Sequence, residues 1–276
     1  MKFAGIIAEY DPFHNGHAWQ LAQAKALGAE RVAVAMSCSL VQRGALPLLP
    51  EAVRTRSALT CGADLVFALP APCACAGAEA FARAGVALLA AAGCDGLVFG
   101  AETPDAALLM EAAELLDSGS YRAALKAQLA GGARSFAAAR QAAAAQLASD
   151  ERVAALLDKP NNNLAVEYCR AIRSLAPRME AYPLPRQGAN HGEALHSAHG
   201  QFASASALRK LWAEGGADAV APYVPEAVFP LYQEAYAAGQ YTDFSAAGRC
   251  ELALLRSACR GKAPFADIRG VSEGLE

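Results

Sequence analysis

Two imidazoles three residues apart, His14 and His17, bracket Asn15 and Gly16 in a stretch that reads as a short apolar strand (3–8), a loop stopped at Pro12 and a helix opening on His14-Asn15-Gly16-His17. The unpaired N–H groups of a helix N-terminus and its dipole favour an anion, and a glycine there lets a ligand approach the main chain without a Cβ in the way. With two imidazoles at the same point, the anion these residues suit is the phosphate chain of a nucleoside triphosphate. A solvated surface turn, or a His-x-x-His half-site for zinc completed by distant ligands, is the competing explanation. Neither accounts for the strand that precedes the histidines.

Other polar residues fall where the same ligand would need them. Apolar strand-like runs recur at Phe3–Ala8, Arg31–Met36, Asp64–Leu69 and Gly96–Phe99, separated by helix-length segments at Asn15–Gly28, Pro50–Cys61 and Ala78–Ala92. Strands alternating with helices predict a parallel sheet with right-handed crossovers. Ligands of such sheets collect beyond the carboxyl ends of the strands. The loop after the first strand supplies Glu9, Tyr10, Asp11, His14 and His17; the loop after the second supplies Ser37, Gln42 and Arg43; the fourth strand ends on Phe99-Gly100-Ala101-Glu102. Gly100 would let an adenine or ribose lie against the backbone, or is a plain turn glycine.

From Thr103 to about Asp158 the pattern is helical throughout, and a fifth strand is expected near Met179–Leu184. Pro160-Asn161-Asn162-Asn163 precedes an apolar-periodic helix at Leu164–Ile172, where the asparagines either cap the helix or bond a nucleotide. Arg186, beside Gly188, follows the fifth strand and suits a phosphate or plain solvent. Ala203-Ser204-Ala205-Ser206-Ala207-Leu208-Arg209-Lys210 opens a further helix with hydroxyls first and cations after, a second anion-binding helix start. Two such starts facing one triphosphate imply reaction at phosphorus, with the histidines, Arg209 and backbone amides stabilising the developing charge. No covalent enzyme intermediate is required.

Composition narrows the class. The chain has 276 residues, 54% of them hydrophobic, enough for a sizeable core in one or two domains. Its apolar runs are too short to span a bilayer, and no secretory leader is evident, so a cytoplasmic location is expected. The formal charge of −3 gives no global basic field, so any nucleic-acid surface must be a local patch. Eight scattered cysteines read as buried free thiols, and the Cys73-Ala74-Cys75 pair lacks partners for a metal. No metal is assigned to protein ligands; Mg²⁺ enters only as the usual escort of a triphosphate.

The motifs Glu9-Tyr10-Asp11-Pro12-Phe13-His14-Asn15-Gly16-His17, Val41-Gln42-Arg43-Gly44, Asp64-Leu65-Val66, Leu69-Pro70, Val98-Phe99-Gly100, Pro160-Asn161-Asn162 and the 203–210 segment occur in one order along nearly the whole chain. In this the sequence resembles the tRNA(Met) cytidine acetate ligase family of the nucleotidylyltransferase superfamily that carries the His-x-Gly-His motif. The resemblance implies a Rossmann-like α/β fold: a parallel sheet of about five strands flanked by helices, with a helical insertion and a helical C-terminal segment. It divides the chain into an ATP-binding domain, 1–218, with the insertion at about 103–158, and a segment, 219–276, shorter than the family's. It also implies an enzyme that adenylates acetate with ATP and passes the acetyl group to the wobble cytidine of elongator tRNA(Met).

Carried onto this sequence, the resemblance assigns ATP binding to Ile7, Ala8, Glu9, Tyr10, Asp11, Pro12, Phe13, His14, Asn15, Gly16, His17, Ala18, Trp19 and Gln20, then to Gly100, Asn161 or Asn162, Arg186, Ser206 and Arg209. His14, His17 and Arg209 would be catalytic. Asp11 stands where the family usually has asparagine, bringing a carboxylate near the phosphates. Arg249, Arg256, Arg260, Lys262 and Arg269 form a candidate basic face for RNA, or a solvated helix surface. Two other functions fit the same residues: adenylylation of a small phosphorylated metabolite, and non-catalytic binding of nucleotide or RNA.

Overall fold

The computed structural model describes residues 1–42, 44–132, 135–185, 195–197 and 200–258. Its first half is a run of βα units: β1 (Phe3–Ala8), α1 (Asn15–Ala26), β2 (Arg31–Ser37), α2 (Glu51–Thr60), β3 (Leu65–Leu69), α3 (Ala71–Ala74), α4 (Ala78–Ala91) and β4 (Gly96–Ala101). Four helices follow, α5 (Ala106–Asp117), α6 (Gly119–Ala130), α7 (Phe136–Leu147) and α8 (Glu151–Leu156), and then α9 (Pro160–Leu175) and β5 (Glu180–Pro185). A two-stranded hairpin, β6 (Leu195–Ser197) and β7 (Gly200–Phe202), leads to α10 (Ala205–Val220), α11 (Phe229–Ala237) and α12 (Phe244–Ala258).

The five long strands form one sheet in the order β3-β2-β1-β4-β5, every pairing parallel. The expected strands and helices are present with their ends shifted by no more than three residues. One boundary moves further: Asn161, Asn162 and Asn163 do not precede a helix but form the first turn of α9. The β6–β7 hairpin was not foreseen, since strands of three residues leave too little alternation to read.

Period-two alternation divides the strands between two cores. Val32, Val34 and Met36 of β2 and Val98 of β4 are buried with Leu21, Leu208 and Tyr232, on the side of α1, α10 and α11. Ala33, Ala35, Leu97 and Phe99 are buried with Leu89, Leu109 and Ile172, on the side of α4, α5 and α9. Each large apolar side chain so buried contributes roughly 1.5–3 kcal/mol. Gly85 lets α4 close on the sheet, because a Cβ there would come within 2.5 Å of the Ile7 Cδ1. Among the described cysteines, all free, Cys38, Cys94 and Cys169 are buried, Cys61, Cys73 and Cys75 are half-buried and Cys250 is exposed. The expectation of buried thiols therefore fails for the last four.

The sheet opens where the site must lie. β1 and β2 pair from Phe3–Arg31 to Ala8–Met36, but β1 and β4 pair only at Ala4–Gly96 and Gly5–Leu97. Beyond that point the chain has reversed its direction of winding, and the carboxyl ends part. The Val98 carbonyl, released by the split, accepts a bond from Gln20 Nε2 at 3.1 Å, which seats α1 over the gap.

Arg54 of α2 holds the neighbouring loops together. Its side chain is fully buried, yet every polar contact is to a main-chain oxygen: Nε to Leu49 at 3.0 Å, Nη1 to Glu9 and to Ser37 at 2.7 Å each, and Nη2 to Cys38. One planar fork thus joins the ends of β1 and β2 to the entry of α2. Burial lowers its pKa, opposed chiefly by the nearby Asp11, while a guanidinium remains charged at any working pH.

Two aspartates fix the opposite, amino-terminal ends. Asp95 accepts the Lys2 N–H at 2.8 Å and the Phe3 N–H at 2.9 Å, starting β1 beside β4. Asp64 does the same for Val32 at 2.8 Å, starting β2 beside β3. Burial alone would raise the Asp95 pKa, but the amides of Lys2 and Phe3 outweigh it and the value lies below the usual one. Its ionised form therefore favours folding above about pH 4, an effect lost as pH falls through the folded value. In urea denaturation, Asp95→Asn is expected to lose less stability than the parent between pH 6 and pH 3; equal losses would remove Asp95 from this role. Arg54→Leu leaves the carbonyls of Glu9, Ser37, Cys38 and Leu49 without their donor and should cost about 3–5 kcal/mol in the same measurement. A change below about 1 kcal/mol would contradict the clamp.

Candidate active site

The loop between β1 and α1 is built from buried residues, not from a solvated turn. Tyr10, at φ 50°, and Phe13 are both buried, with rings edge-on at 4.9 Å. Tyr10 also meets the His17 ring edge-on at 4.8 Å. Burial pushes the Tyr10 phenol well up, so it stays neutral. The Phe13 carbonyl accepts the Tyr232 hydroxyl from α11 at 2.7 Å, and Asn15 Nδ2 donates to the Pro222 carbonyl at 3.3 Å. Residues distant in sequence thereby set the position of the histidines.

His14 is the N-cap of α1, its Nδ1 accepting the Gly16 N–H at 3.0 Å. His17 completes a reciprocal box: its Nδ1 accepts the His14 N–H at 3.3 Å, and the two rings stack at 3.8 Å with 25° between their planes. With both Nδ1 atoms accepting, the proton of each neutral ring is on Nε2, the tautomer that can donate to a phosphate oxygen. Gly16 has a second reason to be glycine, since a Cβ would lie 2.9 Å from the His14 Cε1. The cap is made by the same two side chains that the sequence offers for an anion.

Arg209 reaches this loop from the start of α10, where Ser204 is the N-cap and accepts the Ala207 N–H at 3.2 Å. The Arg209 Nη1 donates to the Asp11 carbonyl at 2.7 Å and to its Oδ2 at 3.0 Å. The buried Asp11 carboxylate also takes the Leu48 N–H on Oδ1 at 2.6 Å. Its charge is thus met by a guanidinium and an amide. Ser206 stands in the first turn of α10, its Oγ 3.1 Å from that of Ser204. The structure so brings His14, His17, Ser206 and Arg209 to one loop system at the carboxyl edge.

Gly100 is the exposed penultimate residue of β4, two residues before Glu102. Glu102, expected at the end of the fourth strand among the polar residues near the ligand, organises the asparagines: it accepts Asn161 Nδ2 at 2.6 Å and the Asn162 N–H at 2.7 Å, capping α9 through the favourable end of its dipole. Asn162 is buried, its Oδ1 on the Thr103 N–H at 2.9 Å and its Nδ2 on the Thr103 hydroxyl at 3.2 Å, whereas Asn161 is only half-buried. Gln20 is engaged with β4 as described. Gln42 donates its N–H to Glu9 Oε1 at 2.6 Å. Ile7 and Ala8 end β1, and Pro12, Ala18 and Trp19 complete the loop and the first turns of α1. Arg43, Arg186, Arg260, Lys262 and Arg269 lie outside the described residues; Arg249 and Arg256 are exposed on α12.

Arg54 gave no sequence signal, because a mid-helix arginine usually faces water. Among the described residues no group of three or more His, Cys, Asp or Glu side chains is arranged to hold a metal ion, and no helix is long and apolar enough to cross a membrane.

Known proteins share this arrangement. The family model for HIGH nucleotidyl transferases matches residues 1–276. The tRNA(Met) cytidine acetate ligase of Syntrophotalea carbinolica is 41% identical over 218 residues, which cover 78% of this chain and 52% of that protein. That of Caldanaerobacter subterraneus subsp. tengcongensis is 34% identical over 284 residues, covering all of this chain and 68% of that protein. The crystal structure of Thermotoga maritima TmcAL bound with alpha-thio ATP superposes with a TM-score of 0.78 at 30% identity, covering 87% of this chain and 57% of that one. The chain thus spans between about half and two thirds of the length of these relatives. From the model match across its whole length and from this level of identity, the chain belongs to the tRNA(Met) cytidine acetate ligase family of HIGH nucleotidyl transferases.

Proposed function

We propose that this chain activates acetate with ATP and transfers the acetyl group to the exocyclic amine of the wobble cytidine in elongator tRNA(Met), giving N4-acetylcytidine, and that it does so in the cytoplasm. The observation that carries this is the stacked His14–His17 pair at the N-terminus of α1, with Arg209 joined to the same loop through Asp11. The names of the relatives and the ATP analogue bound by Thermotoga maritima TmcAL support it.

In this scheme an acetate oxygen attacks the α-phosphorus of ATP. The bond to the bridging oxygen of the β-phosphate breaks, and pyrophosphate leaves with the electron pair. The Nε2–H groups of His14 and His17, the positive end of the α1 dipole, and Ser206 with Arg209 at α10 stabilise the charge that gathers on the phosphates. The cytidine amine then attacks the acetyl carbon, AMP leaves with the electrons of the acyl–oxygen bond, and the surplus proton passes to solvent. Ile7 to Gln20, Gly100, Asn161 or Asn162, and Arg186 bound the ATP site, within residues 1–218. Any Mg²⁺ would be carried in by the triphosphate oxygens, because Glu9 and Asp11 already accept main-chain amides.

With ATP and acetate, the parent is expected to release pyrophosphate and, once elongator tRNA(Met) is added, to yield acetylcytidine detectable by mass spectrometry. Absence of both products would overturn the proposal. His17→Ala should lower pyrophosphate release by about 10²- to 10³-fold, at a stability cost of only about 1 kcal/mol from the lost cap; undiminished release would exclude His17 from the phosphate site. Gly16→Ala should lower the same rate by displacing the His14 ring, with the fold retained by circular dichroism. A rate equal to the parent would show that the ring position does not matter.

A further inference from the structure

The ATP-binding positions that the resemblance assigns follow β1, β4, β5 and the helix starts beside them, and none of those lies at the carboxyl end of β2. There a cavity of about 640 Å³ opens to solvent between the loop that follows β2 and the turn that follows α11. Cys38, Ser39, Pro47 and Glu51 line one wall, Gln240 and Tyr241 the other. Thr242 fastens the walls together, its N–H on the Leu48 carbonyl at 2.8 Å and its hydroxyl on the Pro47 carbonyl at 2.6 Å. The first wall is also fastened to the ATP loop: Arg54 donates to both Cys38 and Glu9, and Asp11 accepts the Leu48 N–H. Arg54 thus joins Cys38, which lines the cavity, to Glu9 of the loop that would hold ATP.

The volume and lining select the kind of ligand. Small-molecule sites commonly measure roughly 300–1,000 Å³, far more than acetate needs, so the cavity matches the larger acceptor. Tyr241 offers a ring held from behind by Tyr236, stacked at 5.3 Å with 20° between planes, and edge-on by Trp212 at 5.8 Å. A firmly held aromatic ring at an open mouth is the usual platform for a base splayed from an RNA strand. Glu51 supplies a carboxylate acceptor and Gln240 an amide that both donates and accepts. An exocyclic amine matches Glu51, whereas the carbonyl that uracil carries at that position would face a carboxylate. Burial and the neighbouring Glu51 carboxylate push the Cys38 thiol up, so no thiolate on this wall competes for an activated acetyl group.

We propose that this cavity receives the acceptor base of the RNA, a cytosine, with Tyr241 stacking on its ring and Glu51 accepting a hydrogen bond from its exocyclic amine. The proposal rests on the acetyl-transfer function above. Two assays on the whole chain separate the two: acetate-dependent ATP–pyrophosphate exchange, and acetylation of elongator tRNA(Met); a third follows retention of an anticodon stem-loop RNA on filters without ATP. Tyr241→Ala and Glu51→Gln should each lower kcat/KM for tRNA by roughly 5- to 150-fold and weaken RNA retention, while exchange stays within about twofold of the parent. Tyr241→Phe, which keeps the stacking face, should restore transfer. Replacing the target cytidine by uridine should weaken retention by the parent but not by Glu51→Gln. Variants that acetylate tRNA as well as the parent, or that lose exchange in the same proportion, overturn the cavity assignment. A parent that exchanges but acetylates nothing overturns it as well. A parent without exchange, whose RNA retention still depends on Tyr241 and Glu51, refutes the acetyl-transfer function and leaves the base pocket standing.

Discussion

A single buried guanidinium fixes the working edge of this molecule. Arg54 satisfies the carbonyls of Glu9, Ser37, Cys38 and Leu49, which belong to the ends of two strands and to the start of a helix. Loops at a sheet's carboxyl edge have no ladder partners, so their main-chain oxygens must find donors elsewhere or stay in water. One planar, permanently charged side chain can meet several of them at once; a lysine, with a single point of charge, cannot span the same set. The cost of burying the cation is offset by these charge-assisted bonds and by the acidic groups nearby, Asp11 foremost among them.

On that base the loop from Glu9 to His14 can serve two purposes together. His14 and His17 satisfy amides that a helix start leaves unpaired, and in doing so each commits Nδ1 and keeps its proton on Nε2. Capping therefore orients both rings. The ion pair between Asp11 and Arg209 has the same double character: it neutralises a buried carboxylate and brings the start of α10 to the start of α1. Asparagine could accept the Leu48 N–H but would offer Arg209 no charge, so aspartate at this position ties the two helix starts more firmly.

Much of this was legible in the residues themselves. The five strands and their flanking helices followed from apolar runs alternating with helix-length segments, and the His14–His17 cluster from its place between strand and helix. Its neighbours in space were harder to read. Arg54, Glu102 and Tyr232 act through main-chain groups dozens to hundreds of residues away, and nothing local marks a mid-helix arginine as buried. Nothing local to Gln20 shows that its side chain answers a carbonyl that only the parting of β1 from β4 exposes. The asparagines of α9 were read at the right place but outside the helix, because a first turn and its cap share the same residue preferences.

The most direct measurement is a crystal structure of the protein with a non-hydrolysable ATP analogue. Its triphosphate should lie against the first turn of α1, within hydrogen-bond distance of Nε2 of His14 and His17, with Ser206 and Arg209 on its far side. An analogue bound elsewhere, with both imidazoles out of reach of any phosphate oxygen, would contradict the account.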